Sequence, residues 1–219
     1  VKKITIQELL KELDKYKFKQ FHIHHTWKPS HKDFDGSNHM KLQNGMRNYH
    51  MRTNGWSDIA QHLTLFPDGK FATGRPFNIS PASIKGWNTG AFAMEMIGNF
   101  DKGHDKLKGK QKENLLKLIK YFVEKYGQDS IKFHREGPNV KKTCPGSALN
   151  KNELIREAIN LDKKADVVIV EDKNEPSIWA KEQWEWVKEK GYLDGTRPLD
   201  SITRQEMAVV LYRLKEAKK

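Results

Sequence analysis

One cysteine, Cys144, stands in a chain of 219 residues. No internal disulfide can brace such a fold, which must rest on its hydrophobic core. Cys144 closes the stretch Phe133 to Gly146, where His134 precedes it and Gly137, Pro138 and Asn139 supply turn chemistry between the two. A loop of that composition doubles back and aims an imidazole and a thiol at one point. The lone thiol is then a buried bystander, a metal ligand or a nucleophile. As metal chemistry the pair is half of a zinc site, since catalytic zinc takes three protein ligands and keeps a fourth position open; His24 is the candidate third ligand. As nucleophilic chemistry, Cys144 with a histidine base reads as a cysteine protease. Neither CxxC nor HExxH occurs to decide between them.

The elements that carry these residues are readable from pattern. Thr5-Ile6-Gln7-Glu8 is a capping box that opens a short helix ending near Tyr16. Phe21 to Thr26 alternates as a strand, so His22 and His24 share one face while Ile23 and His25 share the other. Lys32 to Gly45 reads as polar loop, with a short helix from Met46 to Met51. Ile59 to Phe66 and Lys70 to Arg75 read as strands joined by a Pro67-Asp68-Gly69 hairpin turn. Phe92 to Gly98 is a further strand, in which Glu95 is an acidic residue among apolar neighbours and needs a partner if it points inward. Gln111 to Tyr126 repeats its apolar residues at helical spacing and stops at Gly127. Ile131 to Phe133 is a short strand delivering His134, and Asn152 to Leu161 a closing helix. Alternating helices and strands predict an α/β fold, a central mixed β-sheet flanked by helices, with a small C-terminal helical hairpin.

Charge narrows the partners. The chain carries 40 Lys+Arg against 28 Asp+Glu; residues 165–219 hold ten and eleven of these, leaving 30 against 17 for residues 1–164. The N-terminal part thus seeks a polyanion, whether nucleic acid, an anionic membrane or a bacterial wall. No helix-turn-helix, RNA-recognition or zinc-finger pattern supports nucleic acid, and no run of 18 apolar residues supports membrane insertion. No secretion signal opens the chain, so the expectation is either no export by the usual route or a signal already removed. If a metal is bound, Glu95 is the candidate base and Lys142, close to Cys144 in the chain, the candidate cation for a developing oxyanion.

Six segments in order resemble the zinc-dependent N-acetylmuramoyl-L-alanine amidases of type 2, the family that includes peptidoglycan recognition proteins and phage lytic enzymes. They are Ile23-His24-His25-Thr26; Tyr49-His50-Met51 leading to Gly55-Trp56-Ser57-Asp58-Ile59; Asp68-Gly69 with Gly74-Arg75; Lys85-Gly86-Trp87-Asn88; Ile97-Gly98-Asn99-Phe100; and Phe133-His134-Arg135 with Cys144-Pro145-Gly146. The resemblance spans roughly residues 20–150. It implies one zinc ion on His24, His134 and Cys144, catalytic roles for Glu95 and Lys142, and substrate contacts by His25, Trp56, His62, Trp87 and Asn88. It implies hydrolysis of the amide between N-acetylmuramic acid and L-alanine, with peptidoglycan and anionic wall polymers as partners; the alternative is a non-catalytic peptidoglycan-binding module. Gln61 stands where many members have a tyrosine, and Ser83 where recognition proteins often carry a histidine.

The C-terminal part resembles a piece of an S-layer homology module, through Trp179-Ala180-Lys181-Glu182, Trp186-Val187, Lys190-Gly191-Tyr192, Asp194-Gly195 and Thr203 to Ala208. The expected organisation is a catalytic domain over 1–163, a linker over 164–176, and a small wall-binding module over 177–219. A phage endolysin released through a holin, or a bacterial autolysin, is the expected source.

Overall fold

The computed structural model describes residues 1–161, 176, 180–193, 196 and 204–216. The chain separates into two compact units, residues 1–161 and 162–219. The predicted 164–176 linker, Pro176 apart, lies outside the described residues.

The capping box forms as read: the Glu8 N–H donates to Thr5 Oγ1 at 3.2 Å and the Thr5 N–H to the Glu8 carboxylate at 2.8 Å. It starts α1, Ile6–Leu13, whose Ile6, Leu9 and Leu13 turn inward. Six strands make one sheet: β1 (Lys3–Ile4), β2 (Gln20–His25), β3 (Leu63–Leu65), β4 (Phe71–Thr73), β5 (Ala91–Met96) and β6 (Ile131–Phe133), in the order β1-β4-β3-β5-β2-β6. β2 pairs in parallel with both β5 and β6, and β3 in parallel with β5, while the β3–β4 hairpin and β1 are antiparallel. The sheet is therefore mixed, as expected. β1 is too short to leave a pattern in the sequence.

Two boundaries differ from expectation by four residues or more. The strand expected from Ile59 begins at Leu63, because the carbonyls of Ile59 and Asp58 accept from the Arg75 guanidinium at 2.9 and 3.3 Å rather than from a neighbouring strand. The polar stretch expected as loop is the first half of α2, His39–Arg52. Its buried stripe is His39, Gln43 and Met46, at helical spacing but two-thirds polar, so an apolar count misses it. His39 Nε2 is bonded to Asp68 at 2.9 Å and Gln43 Nε2 donates to the Thr73 carbonyl at 3.0 Å, both partners lying far along the chain, while Gln43 Oε1 has no hydrogen-bond partner among the described residues.

The remaining helices of the first unit are α3 (Gly109–Tyr126) and α4 (Lys151–Ile159). One sheet face meets α1, α3 and α4 through Phe21, Ile23, Phe92, Met94, Ile131 and Phe133. Phe122 of α3 anchors it, stacked on Phe21 at 4.8 Å and on Phe92 at 5.7 Å. A second cluster of Met46, Ile59, Phe66, Ala72 and Ile97 seats α2. Strand alternation thus sends Ile23 into the main core and leaves His22 and His24 on the opposite face.

In the second unit, α5 (Lys181–Glu189) and α6 (Arg204–Glu216) are joined where the Arg213 guanidinium donates to the carbonyls of Gly191 and Tyr192, both at 3.1 Å. Of the residues that carry the S-layer resemblance, Trp179, Asp194, Gly195 and Thr203 lie outside the described residues. Among the described residues no helix is long and apolar enough to cross a membrane.

Because Phe122 fills the centre of the main core with no exposure, Phe122→Ala is expected to cost about 3–5 kcal/mol. Chemical denaturation of the two proteins, with fitted slopes compared, measures it.

Candidate metal centre

Register places the chemistry. In the parallel β2–β5 pair His24 lies opposite Glu95, and Thr64 of β3 opposite Glu95 on its other side. Residues opposite one another in a sheet point to the same face, so Thr64, Glu95 and His24 form a row across three strands. β6 pairs with β2 up to Ile23 and Phe133, and the next residue, His134, extends the row at the sheet's edge. The imidazoles of His24 and His134 stand 4.6 Å apart, centre to centre.

Cys144 arrives from the loop. Its approach is held by Arg135, whose N–H donates to the Cys144 carbonyl at 2.9 Å and whose guanidinium donates to the carbonyls of Thr143, Gly146 and Leu149 at 3.3, 2.8 and 2.7 Å. Gly146 has φ +128°, and a Cβ there would come within 2.3 Å of the Phe100 carbonyl oxygen. The Cys-Pro-Gly and Gly-Asn-Phe segments therefore require each other sterically. The result is a set of donor atoms from His24, His134 and Cys144 that all lie within 4.8 Å of one another.

These donors fit a zinc ion. His24 Nδ1 and Cys144 Sγ are 3.6 Å apart, and ligands at about 2.0 and 2.3 Å on two tetrahedral axes are separated by about 3.5 Å. The electrostatics agree. Burial drives the Cys144 thiol up to about 12, against the pull of the His25 N–H that donates to Sγ at 3.5 Å. Burial also holds His24 well below the usual imidazole range, with His134 adding to the effect, and lowers His134, with Lys142 adding. A thiolate–imidazolium pair is thus disfavoured at both partners, which removes the cysteine-protease reading's activated nucleophile. A divalent cation bound here would supply positive charge to the thiol, and neutral imidazoles would present lone pairs to it.

Glu95 is half-buried. Desolvation lifts its carboxyl to about 7, while Lys142 pulls it down. The Lys142 side chain is itself exposed, yet its charge acts on Glu95, His24, His134 and Cys144 alike. Gln61 is buried and donates through Nε2 to Thr64 Oγ1 at 2.9 Å.

The residues expected to touch substrate separate by burial. His62 is fully buried; its Nδ1 accepts from the Ala93 N–H at 3.1 Å and its Nε2 donates to the Ile79 carbonyl at 2.8 Å. Both ring nitrogens are spent on backbone, so His62 braces β5 and offers no atom to a ligand. His25 points away from His24 and accepts the Phe100 N–H at Nδ1, 3.1 Å. Asn88 Oδ1 accepts the N–H groups of Ser83 and Ile84 at 3.0 and 2.9 Å, organising its own loop. Trp56 is exposed and lies against His50, 5.0 Å between rings, by the C-terminal end of α2. Trp87 lies under the Lys132 ammonium at 5.5 Å. Sequence reasoning missed Arg135, His22 and, as a bonded partner, Ser83, whose hydroxyl lies 2.6 Å from His24 Nε2. The shared face of His22 and His24 was the one signal for the second of these.

The raised carboxyl has a definite consequence for stability. In chelated protein Glu95 binds a proton more tightly folded than unfolded, so its contribution is complete below about 4.5 and is lost as pH rises through about 7. The stability difference between wild type and Glu95→Gln, measured by denaturation across that range, is expected to move steadily against wild type; a constant difference contradicts the raised value.

The sequence model of the N-acetylmuramoyl-L-alanine amidase family, Amidase_2, matches residues 14–147. Peptidoglycan-recognition protein LB of Drosophila melanogaster is 30% identical over 131 residues, 58% of this chain and 54% of that protein. The chain spans 13% to 54% of the length of the curated relatives it matches. Among solved structures, the N-acetylmuramoyl-L-alanine amidase LysC from Clostridium intestinale superposes with a TM-score of 0.51 at 25% identity, over 65% of this chain and 85% of that one. A mutant of Drosophila PGRP-LB in complex with tracheal cytotoxin superposes with a TM-score of 0.51 at 25% identity, over 61% and 80%. The matched segment covers more than half of the sequence and holds His24, Glu95, His134 and Cys144, and the chain belongs to the N-acetylmuramoyl-L-alanine amidase family.

Proposed function

We propose that this protein is a zinc-dependent peptidoglycan hydrolase that cleaves the amide between the lactyl group of N-acetylmuramic acid and L-alanine. The observation that carries the reading is the convergence of His24, His134 and Cys144 at a spacing that fits tetrahedral zinc, beside a carboxyl tuned to about 7. A pure binding module needs neither.

Held by those three residues, zinc supplies a Lewis acid and lowers the pKa of water to about 7. Glu95, next to His24 in the β2–β5 register, takes a proton from the attacking water and returns it to the leaving nitrogen, so the C–N bond breaks to a lactyl carboxylate and a free alanine amine. Its raised pKa suits both halves of that transfer. The Lys142 ammonium steadies the charge that grows on the carbonyl oxygen. With Gln61 in the tyrosine's place, proton transfer rests on Glu95.

The basic excess of residues 1–164 suits anionic wall polymers and raises encounter rates in a salt-sensitive way. Residues 1–163 form the catalytic domain, 164–176 a linker, and 177–219 a wall-anchoring module of S-layer homology type. A phage endolysin or bacterial autolysin fits this organisation.

Incubation with purified peptidoglycan is expected to release new amino groups with N-terminal alanine and no new reducing sugar. Cys144→Ser or chelation abolishes the release, Glu95→Gln lowers kcat by about 10²–10⁴-fold, and Lys142→Met by about 10²–10³-fold. Binding to walls with no release makes the protein a recognition module instead. Pelleting with walls tests the anchor: deleting residues 166–219 is expected to weaken it, and unchanged pelleting rejects the anchoring role.

A further inference from the structure

We propose that Ser83 is a positioning residue for the metal ligand His24, its hydroxyl fixing the tautomer and ring orientation that turn Nδ1 toward Cys144. The inference rests on the zinc reading of His24, His134 and Cys144, and concerns residues that no ligand role had reached.

Four side chains form one line. Gln20 Oε1 lies 2.8 Å from His22 Nε2, His22 Nδ1 lies 3.0 Å from Ser83 Oγ, and Ser83 Oγ lies 2.6 Å from His24 Nε2. Beyond it, His24 Nδ1 faces Cys144 Sγ at 3.6 Å. Donor and acceptor roles follow from the end of the line. An amide oxygen only accepts, so the His22 proton sits on Nε2 and its Nδ1 is a lone pair. Ser83 then donates its hydroxyl proton to His22 Nδ1 and accepts at oxygen from His24 Nε2–H. That leaves His24 Nδ1 unprotonated toward the cluster, the form a metal requires. Every group has one role, and reversing any of them leaves two donors or two acceptors opposed.

The hydroxyl is placed by backbone as well as by rotamer. Asn88 Oδ1 accepts the N–H groups of both Ser83 and Ile84. Ile84 is fully buried against Gly137, where a Cβ would come within 2.4 Å of Ile84 Cγ2. Gly137 belongs to the loop between His134 and Cys144, so the segment that presents Ser83 is seated directly on the loop that presents two other donors. Partners of this kind, hydrogen-bonded to the far nitrogen of a ligating histidine, set ring orientation and basicity.

The test is zinc affinity of the full chain, read by chelator competition, together with the visible spectrum of the cobalt-substituted protein. Ser83→Ala is expected to raise the zinc Kd by about 10–100-fold and to shift the cobalt spectrum, while Ser83→Thr, which keeps a hydroxyl, stays close to wild type. Nitrogen-15 spectra of histidine-labelled, chelated wild type give a second readout that needs no variant: a proton on His24 Nε2 supports the line of bonds, and a proton on Nδ1 overturns it. Wild-type zinc affinity and spectrum in Ser83→Ala overturn the inference and leave the metal centre standing. A wild-type chain that takes up no zinc overturns both.

Discussion

Parallel pairing of β2 between β5 and β6 is the interaction on which the rest of the molecule depends. A parallel ladder buried on both faces needs apolar cover, and α1, α3 and α4 provide it on one side through Phe21, Ile23, Phe92, Met94 and Phe133. The same register sets Glu95 against His24 and ends β6 where His134 follows. Core and site are thus alternate residues of the same strands. A slip of one residue in β2 would put His24 into the aromatic core and Ile23 into the site, so the hydrophobic pattern that secures the fold also secures the ligand geometry.

The cluster gathers groups whose charged forms burial disfavours. Burial opposes charge on Cys144, His24 and Glu95 at once, raising the acids and lowering the base. Groups gathered at such cost are held by rigid surroundings rather than by attraction for one another. Arg135 ties the incoming loop by three carbonyls, Gly146 lets it reach Phe100, and Ser83 backs His24. A single positive ion held there would relieve the penalty at the acidic groups while using the lone pairs that the lowered histidines keep free.

Much of this is legible in the sequence. Thr5 and Glu8 announce α1, Gly127 ends α3, and Pro67-Asp68-Gly69 turns the hairpin, because each signal is local and governed by backbone chemistry. The donor set was legible through motif order, and the shared face of His22 and His24 through strand alternation. What escaped depended on distant partners. The start of α2 was hidden because its inward stripe is His39 and Gln43, polar groups whose long-range partners are Asp68 and the Thr73 carbonyl. His62 and Asn88 look like ligand contacts in a one-dimensional motif, yet both ring nitrogens of His62 are taken by backbone at Ala93 and Ile79, and the Asn88 side-chain oxygen by backbone at Ser83 and Ile84. Ser83 shows the converse: an unremarkable residue type acquires its role from two histidines some sixty positions away.

The central claim is that His24, His134 and Cys144 hold one zinc ion, and X-ray absorption of the zinc-loaded protein tests it most directly. The predicted first shell has a single sulfur at about 2.3 Å with nitrogen or oxygen neighbours at about 2.0 Å, and the sulfur contribution disappears in Cys144→Ser. A wild-type shell of nitrogen and oxygen alone would contradict the account.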